Sequence, residues 1–307
     1  MTTPSITVLQ SPRRDMDPTI PGLRLVWDST SLRALLKCPR YFFLNNICGY
    51  NTIDMAIELD FGIRAHSVRE YWIRQTTVMP PEDALRSTVR YVLENPGPDW
   101  DDPIRNRTAL LRFAVWMADA AISDQLQTIV NGDMVYVEKH FMFNLFNYKG
   151  RNFYWAGHID RLAWDGTLWP EDLKTTARLD QTFWTRFRPD IQLPGYVLGS
   201  STLGFGQPTG IKILAAGFSR NAIAIERSQI VVTIDDINNW YETVNHYIIQ
   251  AYHHAEKNSW PMNPESCYDC PFRRVCTLPP SEQQTCLDAT FARVEWNPTV
   301  PRTATKE

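Results

Sequence analysis

The stretch "GHIDRLAWDGTLWPEDLKTT" sets two acidic residues and a lysine on either side of a turn. Asp165-Gly166 is a hairpin signal, and counting outward from it brings Asp160 and Asp172 nearly opposite each other. Side chains alternate along a strand, so Asp172 and Lys174 share a face. Two carboxylates brought together repel unless a cation lies between them. Their hard oxygens suit Mg²⁺ or Mn²⁺. A lysine beside such an ion can orient or deprotonate an attacking water, or stabilise charge on a phosphate. Taken alone, D-x-K is common by chance and equally suits an exposed hairpin with ordinary surface charges.

Two helical pairs could face the same chemistry. In "FGIRAH", Gly62 and His66 are i and i+4, so they lie on one face, which Glu70 extends by a turn. A glycine there lets another backbone or a substrate come close. In "DIQLPGYVLG", Gln192 and Tyr196 have the same spacing, and Pro194 belongs in the first turn or kinks the helix. Either pair read alone is an ordinary helix face. "NPESCYDCPFRRVC" adds Cys267, Cys270 and Cys276 in a C-x2-C-x5-C spacing. Three thiolates make neither a closed disulfide set nor a four-ligand metal site. Cys38, Cys48 and Cys286 remain as sources of a fourth.

The elements that must position these residues follow from composition and pattern. With 307 residues, 44% hydrophobic and 12% aromatic, the chain can bury a real core as one large domain or two small ones. Charged residues at 21% exclude a wholly disordered chain. A net charge of −3 carries no global nucleic-acid signature, so any DNA contact must come from local patches. No apolar run approaches the ~18 residues of a membrane span. The beginning, "MTTPSITVLQSPRRDMDP", lacks the apolar stretch of a signal peptide. A cytoplasmic, reducing compartment is expected (the host cytoplasm if phage-encoded), where clustered cysteines favour metal over disulfides.

Residues 1–22 read as a flexible lead-in. "LRLVW" is a short strand, and "DSTSLRALLKC" a helix with Ser and Thr caps, which Pro39 breaks or restarts as "PRYFFLNN". Helices are expected over 61–75, 81–95 and 107–132, the last stopped by Asn131-Gly132. "DMVYVEKHFMFNLF", "RNFYWAGHIDRLAW" and "TLWPEDLKTTA" alternate as strands. A helix around 180–200, two more strands and a long helix from about Asp235 to Lys257 precede the cysteine segment. Helices before and after a central strand run suggest one α/β core, spanning 23–278, with a helical insertion at about 80–132 and a tail at 279–307.

The order Cys-Pro, G-x3-H, Asp, D-x-K, Q-x3-Y, C-x2-C-x5-C resembles the RecB/AddB-type iron–sulfur branch of the PD-(D/E)XK nuclease superfamily, which includes the CRISPR-associated RecB-like exonucleases. The similarity spans roughly 29–278; single motifs are weak, but six in order with a cysteine frame are specific. The resemblance implies a restriction-endonuclease-like α/β fold: a central mixed β-sheet flanked by helices, plus a subdomain in which an iron–sulfur cluster staples the N- and C-terminal parts. It implies that His66, Asp160, Asp172 and the Leu173 carbonyl bind Mg²⁺ or Mn²⁺. Lys174 would be the catalytic lysine. Gln192 and Tyr196 would support the site and the DNA strand, and Glu70 lies where some members carry an acidic residue. Cys38, Cys267, Cys270 and Cys276 would hold a 4Fe–4S cluster, leaving Cys48 and Cys286 spare.

The expected activity is metal-dependent DNA hydrolysis. Exonuclease action is expected over site-specific cutting, because nothing resembles a recognition module. Partners would be DNA, single-stranded or with free ends, and a helicase, recombination or CRISPR protein. The setting would be recombination, repair, or phage or CRISPR-type DNA processing. Arg33, Lys37 and Arg40, Arg273 and Arg274, and Arg178, Arg186 and Arg188 are candidate phosphate contacts. Two other readings are a catalytically inactive DNA-binding or assembly subunit, against which the intact His66, Asp160, Asp172 and Lys174 speak, and a zinc-stabilised nuclease.

Overall fold

The computed structural model describes residues 15–95, 97–98, 101–121 and 124–298. A two-residue strand, β1 (Val26–Trp27), leads into α1 (Ser29–Lys37). The cap is Asp28, not the expected Ser or Thr: it accepts from Ser31 N at 2.8 Å, and Ser31 Oγ reciprocates to the Asp28 backbone. Pro39 starts α2 (Pro39–Phe42), where its fixed φ suits a first turn, and a π-helical turn carries the chain on to Ile47. Then come β2 (Tyr50–Thr52), α3 (Ile57–Thr76), α4 (Pro81–Glu94) and α5 (Arg107–Ala121).

The helix expected to reach residue 132 ends with α5; Ile122 and Ser123 lie outside the described residues. Downstream, the β-branched run Thr128-Ile129-Val130 forms β3 (Gln127–Thr128) and β4 (Val130–Asn131), with β5 (Met134–Val135) following. Gly132, at φ +58°, turns the β4–β5 hairpin instead of stopping a helix. Three long strands follow: β6 (Val137–Tyr148), β7 (Arg151–Trp164) and β8 (Leu168–Thr176). The single helix expected around 180–200 is two, α6 (Gln181–Thr185) and α7 (Leu193–Ser201). Pro189 between them cannot occupy a helix interior. β9 (Gly210–Phe218), β10 (Ile223–Val231) and α8 (Ile234–Glu256) match expectation closely. α9 (Arg273–Thr277), α10 (Pro280–Thr290) and β11 (Phe291–Arg293) complete the described chain.

Two compact units result. The first takes the described residues up to Asp54, Met142–Gly157, and those from Ile237 onward. In it β1 lies parallel to the start of β7, with Trp27 opposite Trp155. Along α8, Trp240, Val244, Ile248 and Tyr252 are buried, and Trp240 meets Trp155 edge-on at 5.1 Å. Trp27 stacks on Phe42 at 5.1 Å. The lead-in lies outside the described residues as far as residue 14, but Asp15 is buried in a 3.1 Å ion pair with Arg24.

The second unit holds Met55–Phe141 and His158–Asp236. Its sheet is mixed: β7 and β8 are antiparallel, β8 and β9 parallel, β9 and β10 antiparallel, and β3 adds to β7. Helices α3, α4 and α5 bury Phe61, Trp72 and Phe113 in one cluster with Leu173 and Leu214. Each such side chain contributes about 1.5–3 kcal/mol by leaving water. At Gly199 on α7, a Cβ would run into the Phe141 ring, so only glycine allows that approach. The result is a mixed α/β architecture, a sheet flanked by helices, consistent with a restriction-endonuclease-like fold. Among the described residues no helix is long and apolar enough to cross a membrane.

Candidate active site

Strands β7 and β8 pair from Trp164↔Leu168 up to Arg161↔Glu171, one residue short of Asp160 on the first strand and Asp172 on the second. There the ladder stops. The Leu173 N–H donates to Asp160 Oδ2 at 2.7 Å, so a side chain takes the place of the missing strand partner. β8 continues along β9 instead. Asp160 and Asp172, both buried, are thereby seated where the two strands part.

Asp172 and Lys174 project from one face of β8, and Lys174 Nζ lies 2.7 Å from Asp172 Oδ2. The same ammonium donates to Gln192 Oε1 at 3.0 Å, and Gln192 Nε2 reaches Asp172 Oδ1 at 3.4 Å. Gln192 is held in turn by Asp190, whose Oδ1 accepts from the backbone N–H groups of Gln192 and Leu193 at 2.6 and 2.9 Å. Pro194 sits in the first turn of α7. Tyr196, one turn further, is buried with its ring edge-on to Phe141 at 5.7 Å.

His66 comes from α3. A Cβ on Gly62, one turn earlier, would lie 3.4 Å from Thr175 Oγ1, so the helix runs close over β8. His66 Nδ1 is 3.1 Å from Asp160 Oδ2 and 3.6 Å from Glu138 Oε1. Glu138 was not among the residues picked from the sequence. Its backbone has φ +48°, an unusual conformation for a residue with a Cβ, of a kind that costs about 1–3 kcal/mol. It breaks the plain alternation of β6, so strand periodicity offers no signal for it. Glu70 instead pairs with Arg74 on its own helix at 3.0 Å.

Among the described residues, His66, Glu138 and Asp160 form the single group of three metal-ligating types whose donor atoms all lie within 4.8 Å of one another. Burial works against a charged His66, but Asp160 and Glu138 outweigh it and lift the imidazole to about 9. Burial also raises the Asp172 carboxyl; Lys174 pulls it down, and Asp160 adds to the rise. The pocket thus sets three carboxylates, Glu138, Asp160 and Asp172, against two cations, His66 and Lys174. His66 Nδ1 and Asp172 Oδ2 are buried without a hydrogen bond of good geometry. Oxygen donors with one imidazole fit a hard divalent cation.

The cysteines lie in the first unit. Cys38 is buried between α1 and α2, and its Sγ accepts from Asn263 N at 3.3 Å, across 225 positions of sequence. Asn263 Nδ2 also donates to Lys37 O at 2.9 Å. The four sulfurs do not gather within the 4.8 Å that marks the carboxylate–histidine group. Burial raises the Cys276 thiol to about 11, with Cys38, Cys267 and Cys270 contributing, so the four are within electrostatic reach. Cys48 is fully buried, and that burial raises its thiol to about 12.

Several expected phosphate contacts are engaged internally. Arg40 Nε donates to Trp260 O at 2.7 Å, and Lys37 pairs with Asp269 at 3.4 Å. In the second unit Arg188 Nη2 donates to Val231 O at 2.8 Å, and Arg186 stacks 4.0 Å from the Phe183 centroid. Arg178 pairs with Asp180 at 2.5 Å but remains exposed.

A family model described as the PD-(D/E)XK nuclease superfamily matches residues 29–277. The crystal structure of SSO0001 aligns at 12% identity and a TM-score of 0.34, covering 83% of this chain and 87% of the other. A search of curated proteins finds no match. The family match spans most of the chain and all the residues gathered around Asp160, and on it the chain belongs to the PD-(D/E)XK nuclease superfamily.

Proposed function

We propose that this protein is a divalent-metal-dependent deoxyribonuclease whose reaction centre is the opening between β7 and β8. The observation that carries this reading is the contact of Lys174 with Asp172 and Gln192 beside the facing carboxylate of Asp160. Asp160, Asp172 and His66, with the Leu173 carbonyl and Glu138, would hold Mg²⁺ or Mn²⁺. When bound, the ion lowers the pKa of a water and stabilises charge on the phosphate. Lys174 orients the attacking water, Gln192 keeps Lys174 in place, and the buried Leu173 N–H holds Asp160.

Exonuclease action is the mode proposed. Arg178, exposed beyond the end of β8, would meet a phosphate backbone without reading bases. The test is digestion of end-labelled linear and closed circular DNA, single- and double-stranded, with Mn²⁺. Release of mononucleotides from linear DNA alone is expected. Equal cutting of circles overturns the exonuclease mode, and activity retained by Lys174→Ala overturns the site.

A 4Fe–4S cluster on Cys38, Cys267, Cys270 and Cys276 is proposed as a structural element. The N–H···S bond from Asn263 to Cys38, which ties the first cysteine to the segment that carries the other three, supports it. Iron and inorganic sulfide should copurify and be lost in Cys38→Ala. Zinc in their place overturns the cluster.

A further inference from the structure

Helix α3 turns two adjacent stripes inward. Phe61, Ala65, Val68 and Trp72 pack into the apolar core. Gly62, His66 and Arg69, spaced i, i+4 and i+7, meet the strands in turn. A Cβ on Gly62 would lie 3.4 Å from Thr175 Oγ1. His66 Nδ1 is 3.1 Å from Asp160 Oδ2, and Arg69 Nη2 is in direct contact with Glu171 Oε2. The helix therefore runs antiparallel to β8. From Gly62 to Arg69 it rises about 10 Å, and from Thr175 back to Glu171 the strand covers about 13 Å. His66 falls between these two contacts, level with Leu173, whose N–H holds Asp160.

Glu171 is where the three elements that carry His66, Asp160 and Asp172 are tied together. It precedes Asp172 on β8. Arg161, which follows Asp160 on β7, is its cross-strand neighbour, with Nη1 3.2 Å from its carboxylate. Arg69 comes three residues after His66 on α3. Arg227 of β10 adds its Nε at 2.7 Å, and Asp124 pairs with Arg227 at 2.8 Å and with Arg161 at 3.6 Å. Charge balance does not call for Arg69: without it, two guanidinium groups face two carboxylates. Its Nη1 is also buried without a hydrogen-bond partner, and an orphaned buried donor opposes folding. Stability alone thus does not explain Arg69. What the pair does supply is a register. Apolar packing is non-directional, whereas an ion pair whose residues are 4% and 0% exposed is satisfied at one position of helix along strand.

We propose that Arg69 is a positioning residue of the metal site: its ion pair with Glu171 sets α3 along β8 and so holds the His66 imidazole against Asp160. This rests on the reading of His66, Asp160 and Asp172 as metal ligands. The test is calorimetric Mn²⁺ titration of the full chain after EDTA treatment and removal of the chelator. Electron spin-echo spectroscopy of the bound ion then detects a coordinated imidazole nitrogen. In Arg69→Met, folded by circular dichroism, the Mn²⁺ dissociation constant should rise about 10–100-fold. The nitrogen modulation should weaken towards that of His66→Ala. An Arg69 that served stability alone would change the melting temperature and leave both readings in place.

If Arg69→Met does not fold, Arg69→Lys carries the test, since it keeps the charge but loses the planar fork of the guanidinium. An unchanged dissociation constant in the variant that folds overturns the proposal. So does a raised constant with the nitrogen signal intact, because the loss then does not pass through His66. Mn²⁺ binding abolished by Asp172→Asn but unmoved by Arg69→Met would leave the nuclease reading standing and sink the proposal alone. A wild type that binds no Mn²⁺ would sink both.

Discussion

Glu171 and Asp172 are neighbours on one strand, and both are buried, yet their surroundings give them opposite character. Burial pushes the Glu171 carboxyl up, but Arg69, Arg161 and Arg227 together hold it below its ordinary value. Burial pushes Asp172 up as well, and there Lys174, with a smaller contribution from His66, opposes both burial and the repulsion of Asp160 without overcoming them. The strand's alternation sends one carboxylate into a cationic network and the other into an anionic opening. Glu171 therefore reads as a structural charge with its partners supplied. Asp172 reads as a charge in want of a partner, as a metal site requires.

The largest expected effect falls on the Asp172 face. Lys174→Ala should lower DNA cleavage by about 10²–10⁴-fold, in protein that circular dichroism in EDTA reads as folded. A comparable loss from Glu171→Gln at full stability would erase the contrast between the two faces.

Next is stability. Glu171→Ala leaves three guanidinium groups short of a carboxylate and should cost about 3–5 kcal/mol by urea titration. In EDTA at neutral pH, Asp172→Asn should be neutral or stabilising, because it removes a poorly compensated charge. The pH dependences oppose each other. Glu171 has a lowered pKa, so its contribution is present above the ordinary value of 4.5 and is lost as pH falls through the lower folded one. Asp172 has a raised pKa, so its penalty sets in above the ordinary value of 3.8 and is complete only above the folded one. Stability differences from wild type that follow the same pH trend in both variants would contradict this.

Metal addition sharpens the comparison further. At a hundredfold excess over Kd, Mn²⁺ should stabilise the wild type by about 2.7 kcal/mol. Glu138→Gln should shift the metal titration by about 10–100-fold, while Glu70→Gln should leave it alone. The smallest effect belongs to the cationic network. Thr128→Val deprives Arg161 of one hydrogen bond and should cost about 1.5 kcal/mol without changing the metal response.

Much of the site was legible because it is local. Alternation and Asp165-Gly166 locate β7 at its observed ends, and the register they imply holds as far as Arg161↔Glu171, next to Asp160 and Asp172. Helical spacing places Gln192 and Tyr196 on α7's entry, and the Tyr196 N–H does bond to Gln192 O at 3.0 Å. The stretch from 107 to 132 misleads because a short apolar run suits a helix or a strand, and pairing of Gln127 and Thr128 with β7 decides it. Asp190 escapes notice because its role is to hold backbone N–H groups of its own turn, a common use of aspartate in loops.

By itself, then, the sequence determined the hairpin, the shared face of Asp172 and Lys174, and the family's order of motifs. Those depend on neighbours a few positions away, where φ/ψ alternation and turn chemistry suffice. Only the tertiary structure decided that Glu138, and not Glu70, joins His66 and Asp160, and that Glu171 is enclosed by arginines from α3, β7 and β10. A carboxylate's role depends on the charges within a few ångströms, and those charges come from residues tens of positions apart.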